Sequence, residues 1–262
     1  MISTSMLSRE QVEQPDLFEF MSNVMGYTIM HPGALSATDR LAQMVHVGPE
    51  MSVLDVGSGK GISALHLARK YGCKVMGVDI SERFVDQAND AARRTGIKAA
   101  FRVGDALDLP FADGEFDVVL AQAVLIMLGS RVAQERAVEE MVRVTRPGGY
   151  IGGIELGWKR EPPPGLIRTA TARMCKNCVP NMRTIAGWRD LFSSKGVREL
   201  QVLEENMGYQ MMWRAMAPFQ IMRGMFLILI NPAIRKRMMG FMKVMFREGR
   251  GYFGYGIFAG RR

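Results

Sequence analysis

Asp55, Gly57, Ser58, Gly59 and Gly61 fall within the run Val-Leu-Asp-Val-Gly-Ser-Gly-Lys-Gly at 53–61, and Asp79 closes the later run Val75-Met76-Gly77-Val78-Asp79. Glycines without a Cβ let a backbone turn tightly and approach a ligand closely. A helix starting just after them offers unpaired N–H groups to an anion. A carboxylate at the end of the next strand can accept bonds from two ribose hydroxyls. Residue types and spacing together describe a nucleotide-binding βαβ unit.

Two common versions of that unit do not fit. A phosphate-binding P-loop needs Gly-x-x-x-x-Gly-Lys followed by Ser or Thr. Here Leu54 stands where the first glycine belongs and Gly61 follows Lys60. The dinucleotide fingerprint places its third small residue one position later than Gly61, where this chain has Ile62. It also leaves Asp55 unexplained.

The pattern Asp-x-Gly-x-Gly-x-Gly resembles the first motif of class I S-adenosylmethionine-dependent methyltransferases. The resemblance continues in order through Gly104-Asp105-Ala106, Phe116-Asp117-Val118-Val119-Leu120 with Ala121 and Gln122, and Arg143-Val144-Thr145-Arg146-Pro147-Gly148-Gly149. It is closest to small-molecule members such as the quinone-biosynthesis C-methyltransferases, and it covers roughly residues 45–160. The implied cofactor is S-adenosylmethionine. The implied contacts are Asp55, Gly57, Ser58, Gly59, Gly61, Asp79, Ile80, Asp105, Ala106 and Gln122. In that family the glycine loop holds the methionyl part, Asp79 the ribose and Asp105 the adenine amino group. Backbone near Gln122 holds the methionyl ammonium, and Asp55 bonds through water or to the loop itself. A nicotinamide-dependent oxidoreductase and a non-catalytic cofactor-binding module are the alternatives.

The cofactor brings its own leaving group, so the protein has mainly to align an acceptor with it. A general base is harder to assign. Glu155 ends the fifth strand on the ligand side of an open sheet and can accept a proton or bind an amine; the competing reading is a carboxylate bonded to a neighbouring loop. His31, beside Tyr27 in an N-terminal lid, can deprotonate a hydroxyl near neutral pH, against a competing role in packing. The lone Cys175-x-x-Cys178 lacks further ligands at zinc spacing and reads as two partly buried thiols. No metal is expected.

The elements that position these residues follow from alternating apolar and helical runs, which predict a Rossmann-like, seven-stranded, mostly parallel α/β sheet with helices on both faces. Strands are expected near 52–56, 74–79, 98–103, 116–121, 148–155, 197–203 and 252–259. Helices are expected over 34–47, 130–144, 166–179 and 184–194. The division is N-terminal lid helices at 1–47, a cofactor-binding core at 48–205, an inserted helical cap at 206–250 and a last strand at 251–262. In the cap Asn231-Pro232 reads as a helix start, and its methionines read either as core or as the wall of a hydrophobic pocket.

The chain has 262 residues and a net charge of +8. Residues 218–250 hold seven basic residues against Glu248, hence +6, so the rest is nearly balanced. This concentration permits peripheral contact with an anionic membrane, and the sequence bears no nucleic-acid-binding signature. The acidic first twenty residues do not form a signal peptide. Three cysteines suit a reducing compartment. The expected location is therefore cytoplasmic, with membrane association open, and the partner a small, partly hydrophobic acceptor.

Overall fold

The protein is described by a computed structural model covering residues 20, 21, 27, 29–176, 178–207 and 218–262. Helix α1 (Ala34–Met44) leads to β1 (Ser52–Val56), α2 (Ile62–Tyr71), β2 (Lys74–Asp79), α3 (Glu82–Thr95), β3 (Ala99–Val103) and β4 (Phe116–Gln122). After a short 3₁₀ turn at Leu125–Met127 come α4 (Arg131–Val144), β5 (Thr145–Trp158), α5 (Pro164–Arg173), α6 (Cys178–Asn181) and α7 (Ile185–Ser194). Strand β6 (Arg198–Asn206), α8 (Pro218–Ile230), α9 (Pro232–Lys243), a π-helical turn at Val244–Glu248 and β7 (Phe253–Arg261) complete the chain.

The seven strands form one sheet in the order β3-β2-β1-β4-β5-β7-β6. The first five run parallel, and β7 lies antiparallel between β5 and β6. Side chains alternate between faces along a strand. Val53, Val118 and Leu120 meet α1, α2 and α3 on one face. Leu54, Val119 and Ala121 meet α4 through α9 on the other. Order reverses between β1 and β4, so their carboxyl ends open the crevice where such sheets bind ligands.

Local chemistry fixes the helix starts. Ser81, Ser130, Thr184 and Asn231 each accept a backbone N–H of their own helix, satisfying donors that the helix cannot. The helix expected over 166–179 ends at Arg173 instead. Continued through Pro180, it would need a missing N–H and would push the proline ring into the carbonyl of Lys176. The expected free thiols are also corrected: Cys175 and Cys178 form a disulfide, their Cα atoms 5.3 Å apart. The apolar side of α9 turns inward, with Ile234, Met238 and Phe241 buried. Met211, Met212 and Met216 lie outside the described residues.

Glu140 interrupts the apolar face of α4 yet is 1 % exposed. It accepts bonds from Arg143 (2.6 and 2.9 Å) and from the Leu109 N–H at 2.9 Å, and it pairs with Arg136 at 3.0 Å. The Arg143 guanidinium holds its carboxyl below the usual range. Glu140→Ala would strand these donors, so we expect a loss of about 3 kcal/mol in urea unfolding at pH 7. A loss under about 1 kcal/mol would make the cluster an ordinary surface network.

Candidate active site

Val56 pairs with Val78 on one side and Ala121 on the other, so Gly57 leaves the sheet beside both Asp79 and Gln122. Gly57 has φ 66°, and a Cβ there would meet Val124 at 2.3 Å. Gly59 has φ 52°, and a Cβ there would enter open space. The loop closes on Asp79, whose carboxylate accepts the Gly59 N–H at 2.8 Å and the Ser81 N–H at 2.9 Å. Helix α2 then begins with no side-chain cap, leaving its first-turn N–H groups facing the loop.

This loop borders a cavity of about 520 Å³ lined by Asp55, Gly57 to Lys60, Ile62, Ser63, Phe84 and Gln122, with Ile29, Met30 and His31 opposite. Asp55 is 2 % exposed and accepts a bond from Gln122 Nε2 at 3.2 Å, rather than bonding to the glycine loop. Burial, reinforced by the charge of Asp79, pushes its carboxyl up to about 7. Gln122 Oε1 accepts the Thr38 hydroxyl at 2.8 Å. His31 Nδ1–H donates to the Pro32 carbonyl (3.2 Å), and Nε2 accepts the Ser63 hydroxyl at 3.0 Å, with Thr38 Oγ1 at 3.2 Å. A buried polar chain thus ties the N-terminal segment to the strand ends.

Gly61, Asp79, Ile80, Asp105 and Ala106 are not part of that lining. Gly61 caps α2 behind the loop, close to Phe101. Gly104 donates to the Asp79 carbonyl at 3.1 Å, which puts Asp105 and Ala106 on the same sheet edge as Asp79 and Ile80. Ile80 is 74 % exposed there. Asp105 accepts the Leu107 N–H at 2.9 Å in a local turn. These residues make an open shelf alongside the cavity.

A second cavity, of about 930 Å³, adjoins the first, and Ile29, Met30 and His31 border both. Its wall includes Tyr27, Ile126, Leu156, Met182, Phe241 and Met245, and the Cys175–Cys178 disulfide also faces it. No Asp, Glu, Lys or Arg lines it among the described residues.

Of the candidate catalytic residues, His31 borders both cavities and Tyr27 the second. Glu155 is fully buried and lines neither cavity. Its carboxylate accepts the N–H groups of Val124, Leu125 and Ile126 at 3.0, 2.8 and 3.2 Å, fixing the turn after β4. Burial raises its carboxyl to about 8 against those three bonds. Burial lowers His31 to about 4, so it is neutral and a weak base at pH 7. Burial raises the Tyr27 phenol to about 12, leaving it a hydrogen-bond donor. Thr38, Ser63 and Phe84 were not anticipated. Ser63 and Phe84 sit in the first turns of the helices after the glycine loop and after Asp79, a position that could have flagged them. Thr38 reaches Gln122 across 84 residues, with no local signal.

The residues present fit S-adenosylmethionine. The space at Gly59 admits close approach, the uncapped α2 start suits a carboxylate, and the Asp55–Gln122 pair suits an ammonium group.

Residues 53–149 match the model of a family described as a methyltransferase domain. A sarcosine/dimethylglycine N-methyltransferase of Halorhodospira halochloris is 40 % identical over 130 residues, 49 % of this chain and 46 % of that one. A 27-O-demethylrifamycin SV methyltransferase of Amycolatopsis mediterranei is 37 % identical over 116 residues, 44 % and 42 % of the two chains. The match thus spans less than half the length of either relative. A solved S-adenosylmethionine-dependent methyltransferase of Geobacter sulfurreducens, in complex with S-adenosylhomocysteine, shares the fold with a TM-score of 0.70 at 22 % identity, covering 95 % of this chain and 98 % of that one. Neither the nicotinamide reading nor the non-catalytic one is favoured by these likenesses. With the ordered motifs, the seven-stranded sheet and the glycine loop closed by Asp79, they make residues 53–149 similar to a methyltransferase domain, carried on the fold of a solved S-adenosylmethionine-dependent methyltransferase.

Proposed function

We propose that this protein transfers a methyl group from S-adenosylmethionine to a small hydrophobic acceptor that brings its own nucleophile. The observation that carries this reading is the pair of adjoining cavities, one polar at the strand ends and one apolar, meeting at Ile29, Met30 and His31.

Bound in the first cavity, the cofactor supplies an electrophilic methyl carbon. In this reading Gly57, Ser58 and Gly59 and the start of α2 hold its methionyl carboxylate. Asp55 and Gln122 hold the ammonium, Asp79 the ribose, and Ile80, Asp105 and Ala106 the adenine. Gly61 sets the turn into α2. Tyr27, Ile29, Met30 and His31 close over it as a lid, and Phe241 and Met245 cap the acceptor side. The apolar wall excludes water and orients the acceptor, which can supply much of the rate.

The acceptor class follows from what the wall lacks. Sarcosine, named for one relative, is a zwitterion and wants charged partners; this wall offers none among the described residues. With Tyr27 protonated, His31 neutral and Glu155 away from both cavities, no side chain on this wall is a ready base. A neutral amine, a thiolate, a phenolate or an electron-rich carbon would react without one.

The test is incorporation of labelled methyl into hydrophobic amines, thiols and phenols against amino-acid acceptors. We expect label in the hydrophobic set. Met182→Trp should fill part of the cavity and lower kcat/KM there at least ~10-fold, with cofactor affinity unchanged. Label confined to amino acids, or a Met182→Trp enzyme with wild-type kcat/KM, would overturn the acceptor assignment.

A further inference from the structure

Helix α8 is built the wrong way round for a helix in water. Phe219, Met222, Met225, Phe226, Leu229 and Ile230 all point outward, with Phe219 75 % and Leu229 73 % exposed, while Leu227 faces in. Spacings of three and four place Phe219, Met222, Phe226, Leu229 and Ile230 along one stripe. A surface helix ordinarily presents polar residues there. Met239 of α9, 65 % exposed, adds to the apolar surface.

Charge says what this face suits. Arg235 Nη1 donates to the Leu229 carbonyl at 3.3 Å, bringing a guanidinium to the end of the stripe. Lys236 is exposed beside it in sequence. The acidic residue of the segment, Glu248, is already engaged by Lys243 at 3.2 Å. Apolar side chains flanked by excess positive charge match the boundary between acyl chains and anionic headgroups. No described helix is long and apolar enough to cross a membrane, so the contact would be peripheral.

We propose that the outward face of α8, with Arg235 and Lys236 beside it, seats the protein on an anionic lipid surface. The same helical pair walls the apolar cavity through Phe241, with Met245 just beyond α9. If the acceptor is hydrophobic, a step that rests on the function proposed above, it reaches the cavity from the lipid side.

Flotation with phosphatidylglycerol–phosphatidylcholine vesicles tests the docking without cofactor or acceptor. The full chain should float with anionic vesicles and stay below with pure phosphatidylcholine. Met222→Glu/Leu229→Glu and, separately, Lys236→Glu should each weaken partitioning, the double variant at least ~10-fold. All three side chains are exposed, so unchanged thermal unfolding is the control. Methyl transfer to a water-dispersed acceptor should be unaffected by these variants, which keeps failure of docking distinct from failure of the proposed activity. Absence of wild-type protein from the anionic lipid fraction would overturn the proposal, as would equal flotation of the double variant. So would a dimer, seen by light scattering, that Met222→Glu/Leu229→Glu dissociates and that does not bind vesicles.

Discussion

Asp79→Ala is expected to bind S-adenosylmethionine on the order of 100-fold more weakly than the wild-type chain, with its unfolding midpoint little changed. Two losses combine in that figure. The carboxylate is the expected acceptor for the ribose hydroxyls, and charge-assisted bonds of this kind contribute roughly 1.5–3 kcal/mol each. The same carboxylate also holds the glycine loop through the Gly59 N–H and the start of α3 through the Ser81 N–H. Asp79→Asn separates the two. One amide oxygen can still take the Gly59 bond, but the amide nitrogen cannot accept from Ser81 or from a hydroxyl. Asn should therefore fall between Ala and wild type. Gly59→Val should match the alanine variant by another route, since its Cβ enters the open space at the loop and its φ of 52° strains a branched residue. Titration calorimetry checks all three. Wild-type affinity in a folded Asp79→Ala protein would remove that residue from the site.

The core of this fold was legible because its signals are local. Val118–Ala121 is a continuous apolar run and Val53–Val56 is apolar but for Asp55, as suits strands buried on both faces. Ser130, Thr184 and Asn231 announced their helices by residue type alone. The glycine loop was readable because Gly57 and Gly59 answer a backbone requirement at fixed offsets from a strand. What the sequence did not disclose depends on distant partners. Glu155 looked available because it ends a strand at the ligand side. Its real partners, three N–H groups of a turn some thirty residues earlier, are backbone atoms with no sequence signature. His31 looked like a base because its type suggests one, whereas burial among Thr38, Ser63 and Pro32 decides its protonation. Within the basic segment 218–250 the sequence marked a helix start at Asn231-Pro232. That helix, α9, turns its apolar side inward, and the outward apolar face belongs to α8, where hydrophobicity all round the helix hid which side met solvent.

Stability should fall as pH rises from 5 to 8, against the usual behaviour of paired carboxylates, and the buried site residues set the sign. Burial raises Asp55 from 3.8 to about 7 and Glu155 from 4.5 to about 8. Between those limits the unfolded chain has released both protons and the folded chain keeps them, so each rise in pH favours unfolding. His31 acts the other way. Burial lowers it from 6.5 to about 4, so below 6.5 the unfolded chain takes up a proton that the folded chain refuses. From about pH 5 to 6.5 the balance is one proton in favour of the folded state, a loss of ~1.4 kcal/mol per pH unit as pH rises. Above 6.5 the histidine no longer compensates and the fall steepens until Asp55 titrates near 7. It ends once Glu155 has ionised near 8. Paired acids such as Glu140 and Asp117, held below their ordinary values, gain their stabilisation at lower pH and are saturated in this window. Urea unfolding at half-unit intervals reads the slope directly. Glu155→Gln keeps an oxygen for the Val124 and Leu125 N–H groups but turns an NH₂ toward that of Ile126, so it should be less stable at pH 5. Its profile should nonetheless be flatter by about one proton. Asp55→Asn should flatten the profile to about pH 7 and leave the Glu155 limb intact. A wild-type slope in both variants would mean that neither carboxyl holds its proton in the folded protein, and Glu155 would then be a charged anchor of the turn after β4.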